Sequence, residues 1–404
     1  MPEMKHESDI LTVAGLWILA ASGSAYLILP SSVVPTIRQE LAIGAAAVGW
    51  LISIPYAAEA AASIPAGAVL SRMDRRRVLT GAVLGLVAAC LWGWQAGVAG
   101  NYWSFLLSRF LGGVAFVGLW ITSIDIVTSE VDEHTATAVG IYTASGPAGL
   151  AVGLAVTPVL SGFVGWPGVF GVFAGALAVS LLLSWLTLPS GTAPRPDTSA
   201  EQPPITEVLS AVSSDRTVLL VGVMSFVAYS LLLFFTSWMP SYLTETFDLA
   251  LAQSGLFVAL FPAVGIVSRS GGGALSDRLF DQKRRPVVRL SFFVALPVVV
   301  AIWLASDIQV VLVLIVLGGF FVQLSIGVFF TYGAELETPY PNGTLVAFLT
   351  MAGLIGSFTA PIVTGALIDT TGTYTAAFTY AAVLAVIGAG SAWVVRKPGA
   401  DSDA

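Results

Sequence analysis

Three ionisable side chains, Glu59, Arg109 and Arg269, lie inside long apolar stretches of the sequence. A charged side chain at the centre of a membrane helix costs about 2.5–3.5 kcal/mol on translocon-based scales, so its presence needs a reason. A guanidinium keeps its charge when buried and grips a carboxylate or another oxyanion through two parallel hydrogen bonds. A carboxyl group removed from water favours its neutral form, so it can take up and release a proton. These three side chains could therefore bind an anion and exchange a proton.

Each of the three residues has a functional and a structural interpretation. We predict that Arg269 anchors an anion, although an arginine so near the end of its apolar stretch can also snorkel or cap carbonyl groups. We predict that Glu59 carries a proton; the alternatives are a carboxylate paired permanently with an arginine and a neutral acid bonded to a carbonyl. Arg109 is predicted to be a second anion contact or the partner of Glu59, and the alternative is an arginine bonded to helix carbonyls.

Other polar side chains on these stretches are further candidates to line a binding cavity. They are Tyr26, Trp120, Tyr229, Gln323 and Tyr332. Each of them could equally be part of the packed core. The sequence shows no nucleophile–base pair, phosphate-binding loop or metal-binding motif beside them, so we predict neither an enzyme nor a bound metal or cofactor.

The composition places the chain among the membrane proteins. Hydrophobic residues make up 56% of its 404 residues and charged residues only 10%, whereas soluble domains are about 25% charged. The two histidines, His6 and His134, have no cysteine nearby, and Cys90 is the single cysteine. A zinc site and an internal disulfide are therefore not expected. The net charge of −7 says little about partners, but no basic tract is long enough to indicate binding of nucleic acid.

Apolar stretches long enough to cross a bilayer recur along the whole chain. Each helical crossing needs about 20 apolar residues, and we count twelve such stretches, called span one to span twelve. Their predicted limits are 11–34, 46–70, 78–99, 102–124, 137–162, 167–188, 217–241, 252–275, 288–305, 308–332, 345–368 and 375–395. The first is too long for the core of a signal peptide, so we predict that it is retained.

Basic residues fall almost entirely on one side of this arrangement. If the N-terminus is cytoplasmic, 14 of the 17 lysines and arginines lie in cytoplasmic loops and ends. Arg38 falls outside, and Arg109 and Arg269 lie within spans. Lysine and arginine are enriched in cytoplasmic loops. The sequence therefore predicts a multi-pass protein of the cytoplasmic membrane with both termini in the cytoplasm.

Two halves of the chain repeat one pattern. Residues 189–216 are rich in proline and polar residues and are predicted to link a first bundle, 1–188, to a second, 217–404. The segment 59–72 aligns without a gap with 265–278, which lies 206 positions later. Parallel repeats of this kind are related by an axis along the membrane normal. The predicted fold is all-α, with twelve transmembrane helices in two pseudo-symmetric six-helix bundles.

The two copies of that segment resemble the hallmark of the major facilitator superfamily, G-x-x-x-D-[RK]-x-G-[RK]-[RK]. The residues that match are Gly273, Asp277 and Arg278 in the second copy and Gly67, Arg72, Arg75 and Arg76 in the first. The first copy has Ser71 where the family has an acid, and Asp74 where it has a glycine. The resemblance extends over nearly the whole chain.

Three further features resemble particular branches of the superfamily. Arg109 and Gly113 in span four are similar to its second motif, and Gly146-Pro147 loosely resembles the span-five motif of proton-coupled exporters. Arg269 lies where several anion porters, including nitrate/nitrite porters, carry an arginine. Those porters carry a second arginine on span two, whereas the repeat-equivalent of Arg269 here is a serine at position 63.

The resemblance implies a secondary transporter whose two bundles rock around a central cavity. Spans one, four, seven and ten would line the cavity, and spans two, five, eight and eleven would form the moving contacts between the bundles. Gating at the cytoplasmic side is predicted for Asp277, Arg278, Arg72, Arg75, Arg76, Gly67 and Gly273. Hinge or packing roles are predicted for Gly113, Gly146 and Pro147. Members of the superfamily usually act as monomers.

We therefore predict an alternating-access transporter for a small, anionic solute, driven by protons or by exchange with a counter-ion. One alternative is a proton-coupled exporter of drugs or hydrophobic cations, in which Glu59 meets the cation. A second is a receptor of transporter-like build that binds its ligand without moving it. The predicted partners are the solute, the coupling ion and the lipid bilayer.

Overall fold

A computed structural model describes residues 2–131, 135–188, 215–280, 284–334 and 342–395. Within these ranges, the side chains of residues 2–8, 136, 270–279, 330, 331, 333, 334, 342 and 343 lie outside the description. The described chain is almost entirely helical. The helices are Pro2–Ile28, Val34–Leu41, Ala45–Leu70, Arg75–Val98, Tyr102–Glu130, Thr135–Thr143, Ser145–Thr187, Arg216–Phe247, Leu251–Leu279, Arg284–Leu304, Ile308–Ala334, Asn342–Thr371 and Tyr374–Val394.

The helices account for the twelve predicted spans. In the described part of the chain, eleven helical stretches are long and apolar enough to cross a membrane. One of them, Thr137–Thr187, has 51 residues, more than twice the length that one crossing needs. It turns at Gly165, whose φ of 70° and ψ of 158° are not helical, and this turn separates span five from span six. Glycine adopts such a φ without the steric cost that a Cβ brings.

Span one is broken near its end. The helix Pro2–Ile28 gives way to a 3₁₀ turn at Leu29–Val33, followed by the short helix Val34–Leu41. Pro30 lies at the start of the 3₁₀ turn, and its ring and missing N–H prevent the preceding helix from continuing unchanged. The whole 3₁₀ turn is buried.

The spans pack as two groups, and two pairs of helices make the largest contacts between them. In the first half, span one packs on the helix Ser145–Thr187, span two packs on span four, and span three packs on both span four and Ser145–Thr187. In the second half, span seven packs on span eleven, and span ten packs on spans eight and nine. The halves meet where span two contacts span eleven and where span five contacts span eight. The linker lies outside the described residues, so the limits of the two bundles stay a prediction.

The internal repeat is visible in how the halves pack. A Cβ added to Gly113 in span four would lie 2.3 Å from the carbonyl oxygen of Pro55 in span two. A Cβ added to Gly319 in span ten would lie 2.4 Å from the carbonyl oxygen of Phe261 in span eight. Both residues of the second pair lie 206 positions after their counterparts. The same close approach of two helices, which only a small residue permits, is thus built twice.

The contacts between the halves follow the same rule. A Cβ on Gly49 in span two would lie 2.5 Å from the carbonyl oxygen of Pro361 in span eleven. A Cβ on Gly255 in span eight would lie 2.5 Å from the carbonyl oxygen of Leu154 in span five. We call the two sides of the molecule the basic face, where the helix Arg75–Val98 begins, and the distal face. Both glycine contacts lie in the half of the spans nearer the distal face.

Candidate functional site

The Arg269 side chain of span eight has one hydrogen-bond partner among the described residues. Its Nε donates a hydrogen bond of 3.2 Å to Oε1 of Gln323 in span ten. Gln323 is fully buried, whereas the side chain of Arg269 is partly exposed. Among the described residues, no hydrogen bond or ion pair occupies the terminal nitrogens Nη1 and Nη2. A guanidinium with a free terminal edge can bind an oxyanion through two parallel N–H groups.

Glu59 of span two faces the second half of the molecule. Its Oε1 atom is shielded from solvent and has no hydrogen-bond partner among the described residues. The rest of the side chain is partly exposed. Tyr56, one turn earlier, lies close enough to interact electrostatically with both Glu59 and Arg109. A carboxyl group in this setting can hold a proton without breaking an ion pair.

Tyr229 of span seven lies near both Glu59 and Arg269. It is close enough to both Arg269 and Glu59 to interact electrostatically with each. Its ring packs against Gly353 of span eleven, where an added Cβ would lie 2.8 Å from the ring. Glu59, Tyr229, Arg269 and Gln323 are called the central group below. The group spans both halves, and three of its four members remain partly exposed.

The acid and the base of the central group lie one turn apart in the repeated pattern of spans two and eight. The repeat-equivalent of Glu59 is Gly265, and that of Arg269 is Ser63, each 206 positions away. Ser63 donates its hydroxyl to the carbonyl of Ala60 in its own helix, at 3.0 Å. Span two therefore brings an acid and span eight a base to one region. A second arginine on span two, as in the nitrate/nitrite porters, is absent at this position.

Arg109 of span four is occupied on every side. It is fully buried. Its Nε donates to the carbonyl of Leu51 at 3.2 Å, its Nη1 donates to the carbonyl of Tyr26 at 2.8 Å, and its Nη2 donates to the carbonyl of Leu27. The guanidinium carbon also lies 4.4 Å from the centre of the Tyr26 ring and 5.9 Å from that of Phe170, within the range of cation–π attraction.

Two prolines explain why Arg109 is needed where it lies. In a regular helix, the carbonyl of Tyr26 accepts from the N–H of residue 30 and that of Leu51 from the N–H of residue 55. Both positions are proline, which has no N–H. A carbonyl without a donor inside a membrane costs several kcal/mol. Arg109 supplies donors to both carbonyls. This geometry supports the structural alternative, and the predicted anion contact stays a prediction.

Two predicted substrate contacts are buried, whereas most of the central group is partly exposed. Tyr26 is fully buried beneath Arg109, and its hydroxyl packs so tightly on span four that a Cβ on Gly112 would lie 1.9 Å from it. Tyr332 is 1% exposed and interacts electrostatically with Arg289 of span nine. Burial of this kind leaves neither side chain open to a solute in this conformation.

Trp120 and the predicted hinge residues form a separate packed region. The Trp120 ring packs at a tilt against the rings of Phe116 and Tyr142, at centroid distances of 5.9 and 5.1 Å. A Cβ on Gly146 would lie 3.5 Å from the Trp120 ring, which is an ordinary contact, and Pro147 is buried. Gly113 serves the close approach of spans two and four described above. The packing role of these residues agrees with the geometry, and a hinge motion stays a prediction.

The predicted gating residues of the first copy bond within their own half. Arg75 is paired with Asp125 of span four and donates to Oγ of Ser129 at 3.1 Å. Arg76 donates to the carbonyl of Trp185 at 2.8 Å and lies 3.8 Å above its ring. Both bonds tie span three to a neighbour in the first bundle rather than to the second bundle.

Few contacts are described for the other predicted gating residues. Arg72 is exposed, and Gly67 accepts a hydrogen bond from the amide of Ser71 at 3.0 Å, as part of its helix. The side chains of Asp277 and Arg278, and the surroundings of Gly273, lie outside the described residues. The gating role stays a prediction.

Sequence reasoning missed a contact at the distal face. Asp369, near the end of span eleven, accepts hydrogen bonds from the backbone N–H groups of Ala45 and Ala46 at 2.7 and 2.8 Å. These are the first residues of span two. Nη2 of Arg38 lies 3.9 Å from Oδ1 of the same carboxylate. The sequence did offer one sign of this contact. Gly44, at the start of span two, has no side chain that could cap the helix.

Comparisons with known proteins extend over most of the chain. The profile of the Major Facilitator Superfamily matches residues 15–336. The probable sulfoacetate transporter SauU of Cupriavidus necator is 26% identical over 378 residues, which cover 88% of this chain and 86% of that protein. The probable nitrate/nitrite transporter NarK2 of Mycobacterium tuberculosis is 23% identical over 369 residues, or 88% of each chain.

The fold also matches a solved structure of a bacterial homologue of the human lysosomal transporter Spinster, in an inward-facing and occupied conformation. The TM-score is 0.79 at 16% sequence identity, and the match covers 95% of this chain and 96% of that one.

Proposed function

Because the chain belongs to the major facilitator superfamily, whose model matches residues 15–336, we propose that it moves a small organic or inorganic anion across the membrane by alternating access. Arg269 anchors the anion, and Glu59 carries the coupling proton. The observation that carries this proposal is the free terminal edge of the Arg269 guanidinium within a partly exposed group that both halves contribute to.

The relatives support the anion class. Sulfoacetate, the solute in the name of the relative from Cupriavidus necator, has a carboxylate and a sulfonate. Nitrate and nitrite, in the name of the mycobacterial relative, are small oxyanions. All of them present two oxygens on one atom, the arrangement that a guanidinium edge matches with two parallel hydrogen bonds.

The position of Glu59 supports proton coupling. In this chain the anion site is formed by the second half and the acid by the first half, with Tyr229 within electrostatic range of both. Rocking of the halves changes the distance between the two charges and the access of each to water. Proton uptake on Glu59 while the anion is bound leaves the central group less charged for the passage through the membrane, so the two solutes travel together.

The arrangement of the faces supports an orientation. The face where Arg75 and Arg76 begin span three is the cytoplasmic side under the rule that lysine and arginine concentrate there. The protein is a monomer of the cytoplasmic membrane with both termini in the cytoplasm. The glycine contacts and the Asp369 contact join the halves at the distal face. We propose that this conformation is closed at the distal face and open toward the cytoplasm.

Purified protein in detergent tests the substrate class. We expect nitrate or sulfoacetate to raise the melting temperature of the wild type and to leave that of Arg269→Ala unchanged. Tetraphenylphosphonium, a lipophilic cation, should have no effect on either. Stabilisation by the cation that disappears in Glu59→Gln would instead support the exporter, and an anion effect that persists in Arg269→Ala would reject the anchor.

Proteoliposomes test the movement and its coupling. Uptake of the stabilising anion should accelerate when the side from which it enters is made acidic. In Glu59→Gln we expect anion binding and anion exchange to continue while the response to the pH gradient disappears. Glu130→Gln, an acid at the end of span four, is the control and should keep the response. Binding without any accumulation in the wild type would support the receptor instead.

A further inference from the structure

Gln323 has only one way to orient its side-chain amide. Its Nε2 donates to the carbonyl of Phe261 at 2.7 Å and approaches the carbonyl of Gly319 at 3.4 Å. Both neighbours are acceptors, so the amide nitrogen must face them and the amide oxygen must face Arg269. The oxygen then accepts from Nε of Arg269 at 3.2 Å. The fixed amide therefore dictates which edge of the guanidinium is used inside the protein.

Glycines in spans eight and ten leave space for the contact between Arg269 and Gln323. A Cβ on Gly265 would lie 2.0 Å from Oε1 of Gln323, so any larger residue at this turn would displace the amide. A Cβ on Gly327 of span ten would lie 2.2 Å from the carbonyl oxygen of Arg269. Glycine at both positions lets span ten press against span eight on each side of the Arg269 side chain.

We propose that Gln323 is a positioning residue that restricts Arg269 to end-on recognition of its anion. A guanidinium offers two edges with paired N–H groups, one formed by Nη1 and Nη2 and one that includes Nε. Gln323 occupies Nε and so removes the second edge. Only the terminal edge remains for the solute, which must present two oxygens from one atom along the axis of the side chain. This inference rests on the proposed function and adds the source of its geometry.

Binding measurements on matched variants test the positioning role. In Gln323→Met, which keeps the volume but removes the amide, we expect the dissociation constants for nitrate and sulfoacetate to rise about tenfold. The melting temperature of the ligand-free protein should stay near that of the wild type. Ser325→Ala is the control, since Ser325 is also fully buried in span ten but bonds only within its own helix; its dissociation constants should not change.

The outcomes separate the two proposals. If Arg269→Ala loses anion binding and Gln323→Met keeps the wild-type dissociation constants, the positioning role is rejected and the anchor stands. If Gln323→Met weakens binding only in proportion to a lower melting temperature, the amide serves packing and the positioning role is again rejected. If Arg269→Ala binds like the wild type, the proposed function fails first.

A different observation, at the distal face, carries a second inference. The carboxylate of Asp369 in span eleven accepts from the first two N–H groups of span two, which belongs to the other half. Those N–H groups have no partner within their own helix, and a negative charge at a helix N-terminus is favourable. A Cβ on Gly44 would lie 2.5 Å from Oδ2 of Asp369, so a larger residue at position 44 would have to displace the carboxylate. We infer that this contact, called the distal clasp, holds the distal face closed.

The accessibility of an introduced thiol tests the distal clasp. Ser32, in the buried 3₁₀ turn of span one, is fully buried next to spans seven and eight of the other half. In proteoliposomes, we expect a membrane-impermeant maleimide to label Ser32→Cys slowly and to label it at least threefold faster when Asp369→Asn is added. The native Cys90 is buried, and the variant without the introduced cysteine measures its background.

A second acid at the distal face provides the control. Asp307 accepts from the backbone N–H of Gln309 at 2.7 Å and so caps span ten within its own half. Asp307→Asn should leave the labelling of Ser32→Cys unchanged. Equal labelling rates with and without Asp369→Asn, or an equal rise with Asp307→Asn, would overturn the inference.

Discussion

The two interior arginines are chemically identical and are used in opposite ways. Arg109 is fully buried and gives its donors to three carbonyls. Arg269 is partly exposed and gives one donor to Gln323. The difference lies in the neighbouring helices, because span four faces two helices that proline has deprived of N–H groups. An arginine inside a membrane therefore points to a ligand only after the carbonyls around it have been accounted for.

The largest effect is expected from removing the donors of Arg109. Arg109→Met leaves the carbonyls of Tyr26 and Leu51 without a donor, and each unsatisfied group costs about 1–3 kcal/mol. We expect a loss of folding free energy of about 2–6 kcal/mol and a melting temperature lower by roughly 10 °C in detergent. Variant protein that melts like the wild type but no longer binds nitrate or sulfoacetate would place Arg109 with the anion after all.

Removing Arg269 should affect binding rather than folding. In Arg269→Ala we expect the dissociation constant of the preferred anion to rise about 100-fold, which corresponds to about 2.8 kcal/mol. The melting temperature of the ligand-free protein should change little, because the lost bond to Gln323 is a single one. Isothermal titration and thermal unfolding on the same sample measure both quantities. If Arg269→Ala lost much stability without binding the anion more weakly, Arg269 would have a structural role like that of Arg109, and the contrast between the two arginines would be wrong.

Lysine substitutions sharpen the contrast with a smaller change. Lysine keeps the positive charge but offers one compact group of donors instead of a planar fork. Arg269→Lys should retain anion binding with a dissociation constant about tenfold higher. Arg109→Lys should lose stability, since one ammonium cannot reach the carbonyls of both spans one and two. If Arg109→Lys folds as stably as the wild type, charge rather than hydrogen-bond geometry holds that region together.

The smallest effect tests the proline explanation directly. Pro55→Ala restores an N–H to the carbonyl of Leu51, so that Arg109 is no longer its only donor. In the Arg109→Met background, Pro55→Ala should recover about 1 kcal/mol of folding free energy, the net value of one hydrogen bond. In the wild-type background it should recover none. A double-mutant cycle with the same change in both backgrounds would show that Arg109 and Pro55 are independent.

Much of the fold was open to prediction because its signals are local. Runs of apolar residues and the placement of basic residues gave the spans, and glycines at equal spacing gave the repeat. The structure confirms the repeat through Gly113 and Gly319, which admit equivalent carbonyls. The direct turn from span five to span six at Gly165 follows from a backbone angle that composition does not reveal.

The site was predicted less completely, because contacts between distant helices decide it. Arg269, Tyr229 and Gln323 were all named from the sequence, but the bond that orders them depends on how span ten packs on span eight. A signal for Arg109 was present in Pro30 and Pro55, each four residues after a carbonyl that it leaves without a donor. This signal could not be interpreted from the sequence, because the sequence does not show that span four packs beside both prolines. The partner of Asp369 lies more than 300 residues away in the chain, and nothing local announces it.

The bonds of Arg109 also bear on how force passes through the first half. A helix bends more easily at a proline than elsewhere along its length. One guanidinium joins the proline-containing turns of spans one and two to span four. The three spans are therefore held together at the turns where they would bend most easily. A displacement that begins at the bound solute can then reach the ends of these helices with little local bending.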